Sequence, residues 1–124
     1  MSEAIHRYHT AKGYFQSCMM ITRSPDWNDE PRKYLTLLSM MMLTGFSVEL
    51  YLKAWMLQKK REAGIPDVEA SESVRKYGHN LRKLFKDCSE TGLDVLGVDE
   101  LVDILAQGHQ DYTYRYMNEG DKRL

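Results

Sequence analysis

Apolar residues near the start of the chain recur at helical spacing: Ala4, Tyr8, Ala11, Phe15, Cys18 and Thr22 alternate by four and three, with Ile5 and Met19 beside them. This stripe predicts an amphipathic helix over about residues 2 to 23, ending at Ser24-Pro25 because the residue before proline avoids the helical region. After a linker that carries Trp27, the polar run Asn28-Asp29-Glu30 precedes Pro31, a residue suited to the first helical turn. From Pro31 to Ala63 only Gly45 interrupts, so one helix of 33 residues is expected, about 50 Å long, stopped by Gly64-Ile65-Pro66. On a wheel Leu43, Ser47, Leu50, Ala54 and Leu57 share a face, but Leu38, Met41, Val48, Leu52 and Trp55 point elsewhere and are also apolar. A helix apolar on most sides is central, or lies between a core and a subunit interface.

Residues 64–77 read as a long polar connection with one short helix at Glu72 to Lys76, the segment expected to move most. The next helix is marked by Leu81, Leu84, Phe85 and Cys88, with Asn80 as its N-cap, Gly92 beyond its end, and Arg82, Lys83 and Lys86 on its outer face. A turn around Gly97 leads to another helix, with Val98, Leu101, Val102 and Leu105 inward, ending near Gly108. The tail from His109 to Leu124 fits a last helical turn through Tyr112 and Tyr116, or an extended segment. Elsewhere there is no sustained period-two alternation and no Asn-Gly or Asp-Gly hairpin signal. The expected fold is all-α: an up-and-down bundle of four to five helices around one long central helix, in a single domain spanning residues 1–124.

Composition agrees with a folded domain. With 124 residues, 43% of them hydrophobic, the chain should bury about two thirds of its surface. A net charge of -1 gives no global electrostatic case for nucleic acid or membrane, so any such case is local. The longest run without a charge, Tyr34 to Val48, is 15 residues and falls short of a bilayer span. Two cysteines and a polar opening segment point to a cytoplasmic protein without a disulfide framework.

Few positions carry chemistry. His6 and His9 could face one ion, but two ligands do not make a zinc site, and no HExxH or paired CxxC occurs, so neither metal nor cofactor is expected. Cys18 and Cys88 sit on apolar stripes as small hydrophobes, and Met40, Met41 and Met42 read as core or dimer packing. No GxGxxG, GxxxxGK[ST] or GxSxG is found. Glu49 and Lys53 stand four apart among Met42, Phe46 and Met56, where ions must pair or lose their charge. They form a structural ion pair, or Lys53 borders a polar cleft and meets a nucleotide phosphate. The stretch Arg75 to Lys86 holds five cations and His79 with no acid, while the acids concentrate after it. His79 could act as general acid or base and Arg75 could stabilise an anionic transition state. Tyr112, Tyr114, Arg115 and Tyr116 could stack on bases or cover the bundle.

The segment Ser47-Val48-Glu49-Leu50-Tyr51-Leu52-Lys53-Ala54, followed by Gly78-His79-Asn80-Leu81 at a helix start, resembles the HEPN superfamily of small α-helical domains, with its ExxLKA-type long helix and GHdL-type step. The likeness runs over about residues 4 to 117. It implies a bundle of four or five helices that usually forms a homodimer. Members are metal-independent endoribonucleases, often toxins of toxin–antitoxin pairs, or non-catalytic nucleotide-binding or partner modules of minimal nucleotidyltransferases. The catalytic members carry an Arg, four to six residues, then a His. Here Arg75 and His79 have only three residues between them, and His109 has no upstream Arg at that spacing. The expectation is therefore a non-catalytic module binding a nucleotide or RNA, or pairing with a nucleotidyltransferase or antitoxin, through Glu49, Lys53, His79, Arg82 and Arg115. The alternatives are an endoribonuclease using Arg75 and His79 in a dimer cleft, and a purely structural interaction protein.

Overall fold

A computed structural model of the chain describes residues 2–106, 108 and 109, all-helical where regular and without strands among them. The first helix, α1 (Glu3–Thr22), begins where the Ser2 side chain accepts the Ile5 amide and Glu3 stands in the first turn. Its buried line is Ala4, Ala11 and Cys18, seven residues apart. Small side chains on that line let the backbone approach its neighbour, and Ser47 Oγ donates to the Ala11 carbonyl at 2.8 Å. The larger members of the expected stripe sit beside this seam, with Tyr8 and Phe15 about half exposed, because among the described residues α2 is the main cover of α1.

Ser24 accepts the Asp26 amide and opens a 3-10 turn, Pro25–Asn28, after which α2 (Glu30–Glu62) runs for 33 residues without a break at Gly45. The two helices are antiparallel: Cys18 meets Thr44, Tyr14 stacks on Phe46, and Tyr8 meets Tyr51. Counted through the Glu49 and Lys53 pair, Thr36–Glu62 is long and apolar enough to cross a bilayer by length and composition. In the fold this stretch lies against α1 and the two helices that follow α2, and both ions are buried in protein contacts.

The segment expected to be mostly irregular instead forms a nine-residue helix, α3 (Asp67–Arg75), which starts directly after Pro66 and buries Ala70 and Val74. Gly78 (φ +55°) then turns the chain so that Asn80 can accept the Lys83 amide and start α4 (Leu81–Glu90). Leu81, Leu84 and Cys88 are its buried face. A loop with Gly92 and Gly97 leads to α5, residues 98–106, and residues 108 and 109 are helical as well, next to the expected end near Gly108. Leu52, Met56, Leu57, Val74, Leu84 and Cys88 make one core cluster and Leu81, Val102, Leu105 and Ala106 another, with Val48 and Phe85 packed against both. The tail tyrosines and Arg115 lie outside the described residues.

Candidate functional site

The inward face of α2 carries a polar node at its middle. Glu49 and Lys53 are one turn apart, and their side chains are only 5% and 7% exposed. Lys53 Nζ donates to Glu49 Oε2 at 3.1 Å and to the Gly78 carbonyl at 2.8 Å, which ties the Gly-His step to the long helix. His79 Nδ1 lies 2.8 Å from Glu49 Oε1, and His109 Nε2 lies 2.7 Å from the same oxygen. Phe46 packs edge-on against both imidazoles, at 6.2 Å and 5.1 Å between ring centres.

Burial opposes the charge on Glu49, but the His109 hydrogen bond, the Lys53 ammonium and the His79 hydrogen bond outweigh it and hold the carboxyl at about 2. An ionised carboxylate only accepts. Both imidazoles must therefore donate to Oε1, His79 from Nδ1 and His109 from Nε2. His79, a third exposed, is left with its Nε2 edge toward solvent, the arrangement of a histidine oriented by a carboxylate behind it. His109 is 1% exposed, and its Nδ1 finds no hydrogen-bond partner among the described residues. That atom lies against Gly45, where an added Cβ would come within 2.3 Å of it.

The structure thus brings Glu49, Lys53 and His79 together and adds His109 and Gly45, which the sequence reading did not include. Both had a signal. Gly45 is one turn before Glu49, and His109 continues the Val102, Leu105 stripe by four residues. Arg82 is outside the node, exposed and paired with Asp103 of α5 at 3.0 Å. Arg75 is exposed at the end of α3; its charge acts on Glu3 of α1, and it makes no hydrogen bond to the node among the described residues. Lys53 is enclosed by Glu49 and Gly78, so an outside phosphate would meet His79 before it met Lys53. Close by in sequence, Ser73, Lys76, Tyr77, Lys83 and Asp87 line a cavity of about 190 Å³.

Glu49, His79 and His109 offer ligand atoms within 4.8 Å of one another, a spacing at which three donors can hold a metal ion. Charge opposes it. Lys53 already neutralises Glu49, so a divalent ion would leave the buried node with two uncompensated positive charges. Metal-bound His109 would also need its Nδ1–H satisfied from behind, and none of the described residues does so. The donor set fits a closed hydrogen-bond node better than a metal centre. Compared with protein-family models, curated proteins and solved structures, the chain matches none.

Proposed function

We propose that the chain is a HEPN-like, up-and-down helical domain that acts as a non-catalytic nucleotide- or RNA-binding module. It would work as a homodimer or beside a nucleotidyltransferase or antitoxin partner. The observation that carries this reading is the convergence of Glu49, Lys53 and His79 in one node, whose outer edge, His79, stands within the basic stretch 75–86. The node's role is to orient that edge. Phosphate contact falls to His79 and the exposed Lys76, Lys83 and Lys86, with Lys53 holding the step from inside. Homodimerisation is supported by Phe15, Met19, Met20 and Leu37, each an exposed large apolar residue in the later half of α1 or the first turns of α2.

Binding of a labelled single-stranded RNA in EDTA, read by fluorescence anisotropy beside a nucleotide thermal-shift series, tests the reading. The RNA should bind and stay intact, and Lys83→Glu with Lys86→Glu should weaken binding about tenfold without lowering the melting temperature. Neither RNA binding nor nucleotide stabilisation would leave a structural interaction protein. RNA cleavage that disappears in His79→Ala would make the chain an endoribonuclease instead.

A further inference from the structure

A second candidate surface is lined by none of the node residues. It is an open groove of about 530 Å³ between the start of α1, the middle of α2 and the segment leading into α5. Its floor is a helical stripe of α2, Val48, Tyr51, Leu52, Trp55 and Gln58, running about 15 Å at 1.5 Å per residue. Ile5 and Tyr8 form one wall and Leu93, Val95, Val98 and Leu101 the other, an almost wholly apolar lining. Around it Ile5, Tyr8 and Val95 are about half exposed and Leu96 is fully exposed. A stripe at i, i+3, i+4 and i+7 is the surface one helix offers another, and no helix among the described residues covers it.

Charge indicates what fills it. Between Lys86 and His109 the chain has no lysine or arginine, whereas Glu90, Asp94, Asp99 and Glu100 are exposed there. These four are in no ion pair among the described residues; Asp94 stands between the wall residues Leu93 and Val95, Asp99 and Glu100 stand between Val98 and Leu101, and Asp94 and Asp99 line the neighbouring cavity on the far side of that wall, so the acids act on the groove as a nearby negative field. At the other end Lys59 lies over the Trp55 ring, but Glu62 balances it at 3.5 Å. We propose that the groove is the docking site for an amphipathic helix of a partner protein, about three turns long, with basic residues flanking its apolar face on the α5 side. This surface is separate from the nucleotide-binding reading of the His79 face and does not depend on it.

Two labelled helical peptides of about 18 residues test the proposal on the full chain, sharing one leucine face and differing only in lysine or glutamate on the flanks. The lysine peptide should bind more tightly in low salt than in high, and at least about tenfold more tightly than the glutamate peptide. Tyr8→Glu should abolish that binding with the circular-dichroism melt unchanged. Asp94→Lys with Glu100→Lys, which takes the four acids from −4 to 0, should erase the preference between the two peptides. Equal binding of both peptides, no binding of either, or no response to the charge reversal overturns the proposal. So does a dimer that Tyr8→Glu dissociates in sedimentation, since the groove would then belong to a second copy of this chain.

Discussion

A carboxylate as enclosed as Glu49 keeps its charge only while donors surround it, and the same donors make its charge a source of stability. Its carboxyl titrates near 2 in the fold against an ordinary 4.5, so between those values the unfolded chain binds more protons than the folded one. This part of the stability is fully present above about pH 4.5, and it is lost as the pH falls through the window toward 2, on the order of 3 kcal/mol in all. Urea titrations of wild type and Glu49→Gln between pH 2 and 5 should show a steep fall with acid in wild type and a shallower one in the variant. Parallel curves would mean that Glu49 does not set the acid sensitivity. Lys53 answers for the other half of the pair. Lys53→Met leaves the buried Glu49 without its ammonium and should cost about 3 to 5 kcal/mol, whereas adding Glu49→Gln should recover part of that loss. If the double variant were no more stable than Lys53→Met alone, the two ions would not be acting as a pair.

Helix α2 must receive α5 closely enough for His109 to reach Glu49, and Gly45 is what permits it. Exchanging glycine for alanine inside a helix ordinarily gains about 1 kcal/mol, but here the new Cβ would lie 2.3 Å from His109 Nδ1 and 3.0 Å from the ring carbon beside it. The ring is buried and held by Glu49, so Gly45→Ala should destabilise the protein by about 1 to 3 kcal/mol. In a His109→Ala background the clash vanishes, and Gly45→Ala should become neutral or stabilising. A double-mutant cycle by denaturant melts reads that change of sign, and additive effects would count against the packing described. The contact also shows what a sequence conveys about helices and what it hides. Long stripes such as 81 to 88, and an unbroken run such as Glu30–Glu62, announce themselves because many positions repeat one period. α3 buries only Ala70 and Val74 among polar neighbours, too few positions to show a period. Tyr8 and Phe15 look inward on a wheel, yet whether a stripe is covered depends on how many helices arrive, which no single helix encodes. Likewise the Glu49, Lys53 and His79 part of the node is visible as ions in an apolar stripe and a Gly-His helix start. Its closure by His109 depends on α5 crossing at a glycine sixty-four residues earlier in the chain.

Charge is divided across the whole molecule in a way that its near-zero total conceals. Residues 75–86 carry five cations and no acid, and residues 87–103 carry six acids and no lysine or arginine. Among the described residues one ion pair, Arg82 to Asp103, joins the two sides where α4 meets α5, and it is exposed on both partners, so it contributes little to stability. Separated charge of this kind sets which ligand arrives at which face: anions toward the His79 edge, cations toward the groove wall. With Arg82 engaged by Asp103, Arg75, Lys76, Lys83 and Lys86 remain as exposed cations outside any ion pair among the described residues. Four phosphate contacts to a single strand give a slope of about −3 in log affinity against log salt, so a fourfold rise in salt should weaken RNA binding roughly fiftyfold. Lys83→Glu with Lys86→Glu should flatten that slope by at least about 1.4, while Asp94→Lys with Glu100→Lys should change it less because those positions lie outside the basic stretch. A slope near zero, or one that responds equally to both pairs, would mean that RNA does not read the basic side of this molecule.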